Sequence, residues 1–243
     1  MYLHCTMLLI IGIAFCSWSQ PKQVKEIAVP QGYTAADYPA GSYSNWITNL
    51  VLKQDKTIKT YNGSVLTNHS YNVLAVINMP PIFQENLEQA PDYCFRFWGE
   101  YHKDNNIEDK LSFLDYNGNK RPFKSSVMPY LGFLKTTLSN TNSYAIKKGC
   151  REIPEAEAMP GDMIVQNRGG GAGHVSIIIN VCKSAKGDQL YLIGFGFSPA
   201  QEVHIEKASD AYGKQGWYTL KGYYEYLQDN FDFGSPVLRR FED

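Results

Sequence analysis

The sequence lacks an excess of charge of either sign. Its 23 Lys+Arg stand against 24 Asp+Glu, a net charge of −1, which argues against nucleic acid or an anionic membrane surface as the main partner, because both select a basic excess. It lacks any apolar run of the roughly 20 residues that a bilayer-spanning helix needs, so no stable membrane span is expected. Cysteine is scarce, five in 243 residues, with no CxxC pair and no His-rich cluster, and no metal site is expected. There is no P-loop, GxSxG, HExxH or dinucleotide fingerprint, so no cofactor is expected either. No internal repeat or low-complexity tract is visible. What is present is a globular composition: 44% hydrophobic, 19% charged and 17 tyrosines. It excludes a disordered or collagen-like chain.

Residues 7–15 read Met-Leu-Leu-Ile-Ile-Gly-Ile-Ala-Phe. That is the size of the apolar core of a secretory signal. Ser17-Trp18-Ser19 offers a small-x-small cleavage site, which makes residues 1–19 a signal peptide and Gln20 the first mature residue. A lipid-modified Cys16 is the alternative. Either way the expected location is the periplasm or cell envelope. Removal of Cys5 and Cys16 leaves Cys94, Cys150 and Cys182, an odd number for an oxidising compartment. Cys150–Cys182 is the preferred pair, since both fall at the ends of predicted elements.

Residues 20–40 read as a linker or extended N-terminal segment, and 41–243 as a single α+β domain. Helices are expected over 44–52, 91–103, 126–138 and 143–148, and turns at Asn62-Gly63 and Asn117-Gly118. Residues 71–79 read as a buried strand stopped by Pro80-Pro81. In the last third, strands are expected over 162–166, 174–181, 189–195, 201–206 and 217–220, with a glycine loop from Arg168 to Gly173. Helices followed by an antiparallel sheet indicate an α+β fold.

The candidate chemistry centres on His174, the first residue of a strand beside the glycine loop, where an imidazole is placed to exchange protons near neutral pH. The bland alternative is a strand-end histidine beside an ordinary loop. Cys94 lies four positions into the helix that begins at Pro91, where the helix dipole favours a thiolate. It also shares a face with Phe97, Trp98 and Tyr101, which points to burial as a small hydrophobe. Asp92, Arg96 and Glu100 recur on the other face as a charge ladder or a substrate grip. Asp162 is read as a turn cap, and Arg168 as a solvated charge or a carboxylate or phosphate contact in the glycine loop. The order helix-start Cys, strand-start His, then a polar residue on a following strand is similar to that of papain-like enzymes, and Gln201 is the candidate orienting group.

Trp46 with Leu50 and Leu52, Tyr61-Asn62-Gly63, the stretch from Tyr71 to Pro80, Asp92 with Arg96 and Glu100-Tyr101, Ser139-Asn140-Thr141, Gly161-Asp162, Gly173-His174, Pro199-Ala200-Gln201 and Trp217-Tyr218 follow one another in order. Together they resemble a bacterial envelope family known as domain of unknown function 4846. The resemblance implies an exported or lipid-anchored protein with a sheet similar to that of papain-like cell-wall peptidases and amidases. It also implies a Cys where this chain has Ala90 and a Gln where it has Phe195. Two readings follow. One is a thiol hydrolase of cell-wall peptide or amide bonds acting through Cys94, His174 and Gln201. The other is a non-catalytic relative that binds cell-wall glycan or peptide through aromatics such as Trp98, Trp217 and Tyr218, or serves as a structural envelope partner.

Overall fold

A computed structural model describes residues 20–242. The signal-like segment 1–19 lies outside the described residues. The described residues form twelve strands: β1 (Tyr33–Ala35), β2 (Val73–Val76), β3 (Ser112–Leu114), β4 (Lys120–Pro122), β5 (Arg151–Glu152), β6 (Met163–Gln166), β7 (His174–Ser184), β8 (Gln189–Phe195), β9 (His204–Glu206), β10 (Gly213–Lys214), β11 (Trp217–Tyr218) and β12 (Val237–Arg240). The helices are α1 (Tyr43–Thr48), α2 (Ala90–Asp104), α3 (Tyr130–Asn140), α4 (Ser143–Gly149) and α5 (Leu220–Asn230).

Ten strands form one sheet, with the path β10-β11-β8-β7-β6-β12-β5, and every pairing is antiparallel. The long β7 is its spine. It pairs with β8 along its length, with β6 at its start and with β1 at its end. β9 pairs with the end of β8 and carries β2 on its far side. The α+β expectation is met. Helices and a small β3–β4 hairpin precede most of the sheet.

Strand alternation assigns the two faces. Val175, Ile177 and Ile179 of β7, with Met163 and Val165 of β6, pack into the cluster that holds Cys94, Phe97 and Trp98 of α2. Ser176 and Ile178 point the other way, where Ile164, Tyr191, Ile193, Tyr218 and Leu238 meet Leu220, Tyr223 and Leu227 of α5. The sheet is therefore covered on both sides, which explains its nearly unbroken buried apolar strands. Among the described residues no helix is long and apolar enough to cross a membrane.

Local chemistry sets the helix starts. The Asp92 carboxylate accepts from the Gln89 N–H at 3.0 Å, at the head of α2. Asn142 caps α4 by accepting from Tyr144 N at 2.9 Å and Ala145 N at 3.3 Å. The Thr219 hydroxyl accepts from Gly222 N at 2.9 Å and opens α5.

Several expectations need correction. Residues 20–40, read as a linker or an extended segment, pack on the domain: Val24 and Ile27 are in the core and β1 pairs with β7. The helix expected over 126–138 starts only after Pro129, whose extended backbone excludes 126–128. Val127 and Leu131 consequently face solvent. The strand over 71–79 shrinks to β2, which is only half-buried. Finally, α5 and β12 were not anticipated. The strand expected over 217–220 ends at Tyr218, and Leu220, Tyr223 and Leu227 repeat on one helical face and dock on the sheet.

Candidate functional site

The corner where β7 begins, β8 ends and β9 begins gathers the polar residues of the α5-covered face. His174 opens β7 and pairs in register with Gln166. Phe195 closes β8 opposite His204 of β9. On β9 the alternation puts His204 and Glu206 on this face, while Val203 and Ile205 enter the other core.

His204 Nε2 lies 3.0 Å from a Glu206 carboxylate oxygen, and the other Glu206 oxygen accepts from Asn72 N at 2.8 Å. Both side chains are buried. Burial lowers the His204 pKa, against the opposing pull of Glu206. The Tyr71 ring stacks on His204, and His69 stacks on Tyr71 at 5.0 Å.

His174 is fully buried. Its ring lies flat against Phe231, 4.5 Å between centroids, with Phe195 and Phe197 at its edges. The Tyr223 hydroxyl donates to Ser176 Oγ at 2.6 Å, and Ser176 Oγ lies 3.0 Å from His174 Nε2. Burial, then His204, depresses the His174 pKa to about 3, so the ring is neutral at physiological pH.

In front of this polar layer lies a cavity of about 570 Å³, within the usual size of small-ligand sites. Its wall is formed by the segment from Leu66 to Tyr71, the segment from Phe197 to Gln201, and Tyr226, Asn230 and Phe231 at the end of α5. Four aromatic rings (Tyr71, Phe197, Tyr226 and Phe231) and the His69 imidazole stand beside Asn68, Gln201 and Asn230, and the lining includes no Lys, Arg, Asp or Glu. No cluster of three or more metal-ligating side chains occurs among the described residues.

The structure separates the residues that sequence reasoning brought together. Cys94 is 1% exposed and belongs to the α2-side core, whereas His174 points to the α5 side. The sheet stands between them. Burial raises the Cys94 pKa well above that of a free thiol, which cancels the expected dipole-induced thiolate. The nearest hydrogen-bonding atom is the Ala90 carbonyl at 4.0 Å. Ala90 is the first residue of α2. Cys94, Cys150 and Cys182 are all free thiols, so the Cys150–Cys182 bridge is not formed.

The structure also places the other candidates. Asp92 caps α2 and is buried. Arg96 donates to Glu88 at 2.6 Å and to the Pro80 carbonyl at 2.8 Å, a buried strap. Asp162 caps its turn by accepting from Met159 N at 2.9 Å and receives two hydrogen bonds from Arg240. Arg168 pairs with Asp232 on the surface, outside the cavity. Trp98 and Trp217 are core residues, the latter donating to the Ala28 carbonyl at 3.0 Å, and Tyr218 is buried under α5. Of the residues singled out from the sequence, Gln201 lines the cavity and His174 lies behind its wall.

Residues 24–128 and 124–240 match the model of the family described as "Domain of unknown function (4846)". The chain belongs to that family. No curated protein and no solved structure matches it. The family positions implied to carry Cys and Gln are Ala90 and Phe195 here. Phe195 packs between the His174 and His204 rings at 5.1 and 4.4 Å. Sequence reasoning missed Tyr71, Tyr226 and Phe231 as cavity walls. The legible signal was the polar alternation of His204 and Glu206 against Val203 and Ile205, which marks one strand face as chemically distinct.

Proposed function

We propose that this chain is an exported envelope protein that binds uncharged cell-wall glycan in the cavity beside Tyr71 and Gln201, without cleaving it. The observation that carries this reading is the lining: aromatic rings, carboxamides and the His69 imidazole, with no Lys, Arg, Asp or Glu. A sugar ring presents an apolar C–H face to an aromatic face and hydroxyls to amide groups. The free stem peptides of the wall carry carboxylates and amines, whose desolvation this lining does not offset. Burial of Cys94 away from His174 argues against the thiol-hydrolase reading. The apolar run at residues 7–15 supports export, and a papain-like or amidase-like ancestry of the sheet fits a scaffold that kept its cleft.

The test is calorimetric titration of the mature protein with peptidoglycan glycan strands stripped of stem peptides and amidated at the lactyl carboxyls, so that they carry no charge there, and separately with free stem peptides, followed by mass spectrometry of the ligand. The expected result is saturable binding of the stripped glycan, weakened by Phe231→Ala and unchanged by Cys94→Ala, with the ligand recovered intact. Absence of glycan binding, selective binding of the stem peptide, or release of cleavage products would each overturn the proposal.

A further inference from the structure

Gln201 lines the cavity from a backbone segment that is pinned to its neighbours. Its backbone is held on both sides: the Ala200 carbonyl accepts from Tyr61 N at 2.8 Å, and Glu202 N donates to the Lys59 carbonyl at 2.9 Å. Ala200 N also donates to Asn86 Oδ1 at 2.6 Å. Glu202 turns away from the cavity and locks the segment by accepting from Lys59 N and Lys53 Nζ, both at 2.8 Å. The Gln201 side chain is fully buried, yet it forms part of the cavity wall. The Tyr71 hydroxyl approaches it, but neither its amide oxygen nor its amide nitrogen has a well-formed hydrogen bond. Buried polar atoms in folded proteins are nearly always paired, so an exception at a cavity wall marks a place where a ligand supplies the partner.

A carboxamide offers one acceptor and two donors in a plane. A fixed carboxamide with both ends unpaired is matched by a group that presents a donor and an acceptor side by side, and a secondary amide does so. Phe197 and Phe231 supply apolar surface on the same wall for the methyl group of an acetamide. We infer that Gln201 selects glycans by their N-acetyl group, so that the ligand is an N-acetylated amino sugar and not a simple hexose polymer. This rests on the glycan reading given above and adds its chemical class.

The experiment compares two uncharged probes that differ only at this group: the β-1,4-linked tetrasaccharide of N-acetylglucosamine and the β-1,4-linked tetrasaccharide of glucose. Both are titrated into the wild-type chain and into Gln201→Leu and Gln201→Met, with circular dichroism melting to establish that each variant folds. The wild type is expected to bind the acetylated probe at least about tenfold more tightly, because the other probe leaves the buried amide unpaired. Both variants are expected to lose that preference while keeping residual stacking affinity. Equal binding of the two probes by the wild type, or a preference that survives in the folded variants, would overturn the inference and leave glycan binding intact. Failure of both probes to bind would overturn the glycan reading and the inference with it.

Discussion

The Tyr71 ring lies against the His204 imidazole with 4.4 Å between centroids and 23° between planes. This contact ties the cavity wall to the sheet: Tyr71 lines the cavity, and His204 is anchored behind it by Glu206. The segment from Leu66 to Tyr71 belongs to no strand, so stacking on a fixed imidazole gives Tyr71 a defined position that backbone pairing does not.

Replacing Tyr71 separates its two contributions. Tyr71→Ala removes the ring that faces the ligand and uncovers His204, and is expected to abolish measurable glycan binding. Tyr71→Phe keeps the stack and loses only the hydroxyl near Gln201, and is expected to retain most of the affinity. Calorimetric titration of both variants checks this, and equal loss in both would show that the hydroxyl, and not the ring, matters.

His174 makes the fold acid-sensitive. Its folded pKa of about 3 lies below the unfolded value of about 6.5, so the unfolded chain takes up the proton first. The stability that comes from burying the neutral ring is fully present above pH 6.5. It is lost as pH falls from there towards 3, with a slope of up to about 1.4 kcal/mol per pH unit. His174→Leu removes this term. Urea unfolding of wild type and variant between pH 7 and 4 is expected to show a shallower slope for the variant, after the shared contribution of the carboxylates cancels.

Cys94 is expected to be chemically silent. A Cys-directed reagent should label it only upon unfolding, because its thiol is buried and its pKa is raised. Cys94→Ser places a hydroxyl in an apolar core, with the i−4 carbonyl of Ala90 as its acceptor, and is expected to cost about 1–3 kcal/mol. Rapid labelling of the native protein at Cys94, read by peptide mass spectrometry, would contradict this placement.

The Glu88–Arg96 pair is buried on both sides, with side chains 0% and 5% exposed. Arg96→Met leaves a buried carboxylate without its cation and is expected to destabilise the fold by about 3–5 kcal/mol. Glu88→Gln combined with Arg96→Met is expected to recover part of the loss. Thermal melts of the single and double variants provide the measurement.

The α+β class, the positions of α2, α4, β6, β7 and β8, and the turn at Asn62-Gly63 follow from periodicity, capping residues and glycine, whose causes are local and therefore written in the chain. His174 was likewise legible as a polar residue at a strand start, whereas Gln201, expected to open a strand over 201–206, lies before β9 in an isolated bridge to Thr60. Which face each residue occupies was not legible. Cys94 and His174 are well placed in sequence for a papain-like pair, but a strand sends alternate side chains to opposite faces, and whether His174 shares a face with α2 depends on which helix covers which side. That was decided by α5, whose tyrosines and glycine carry weak helical propensity and which becomes a helix by docking Leu220, Tyr223 and Leu227 on the sheet. The cavity, walled by three segments far apart in the chain, exists only once that docking has occurred.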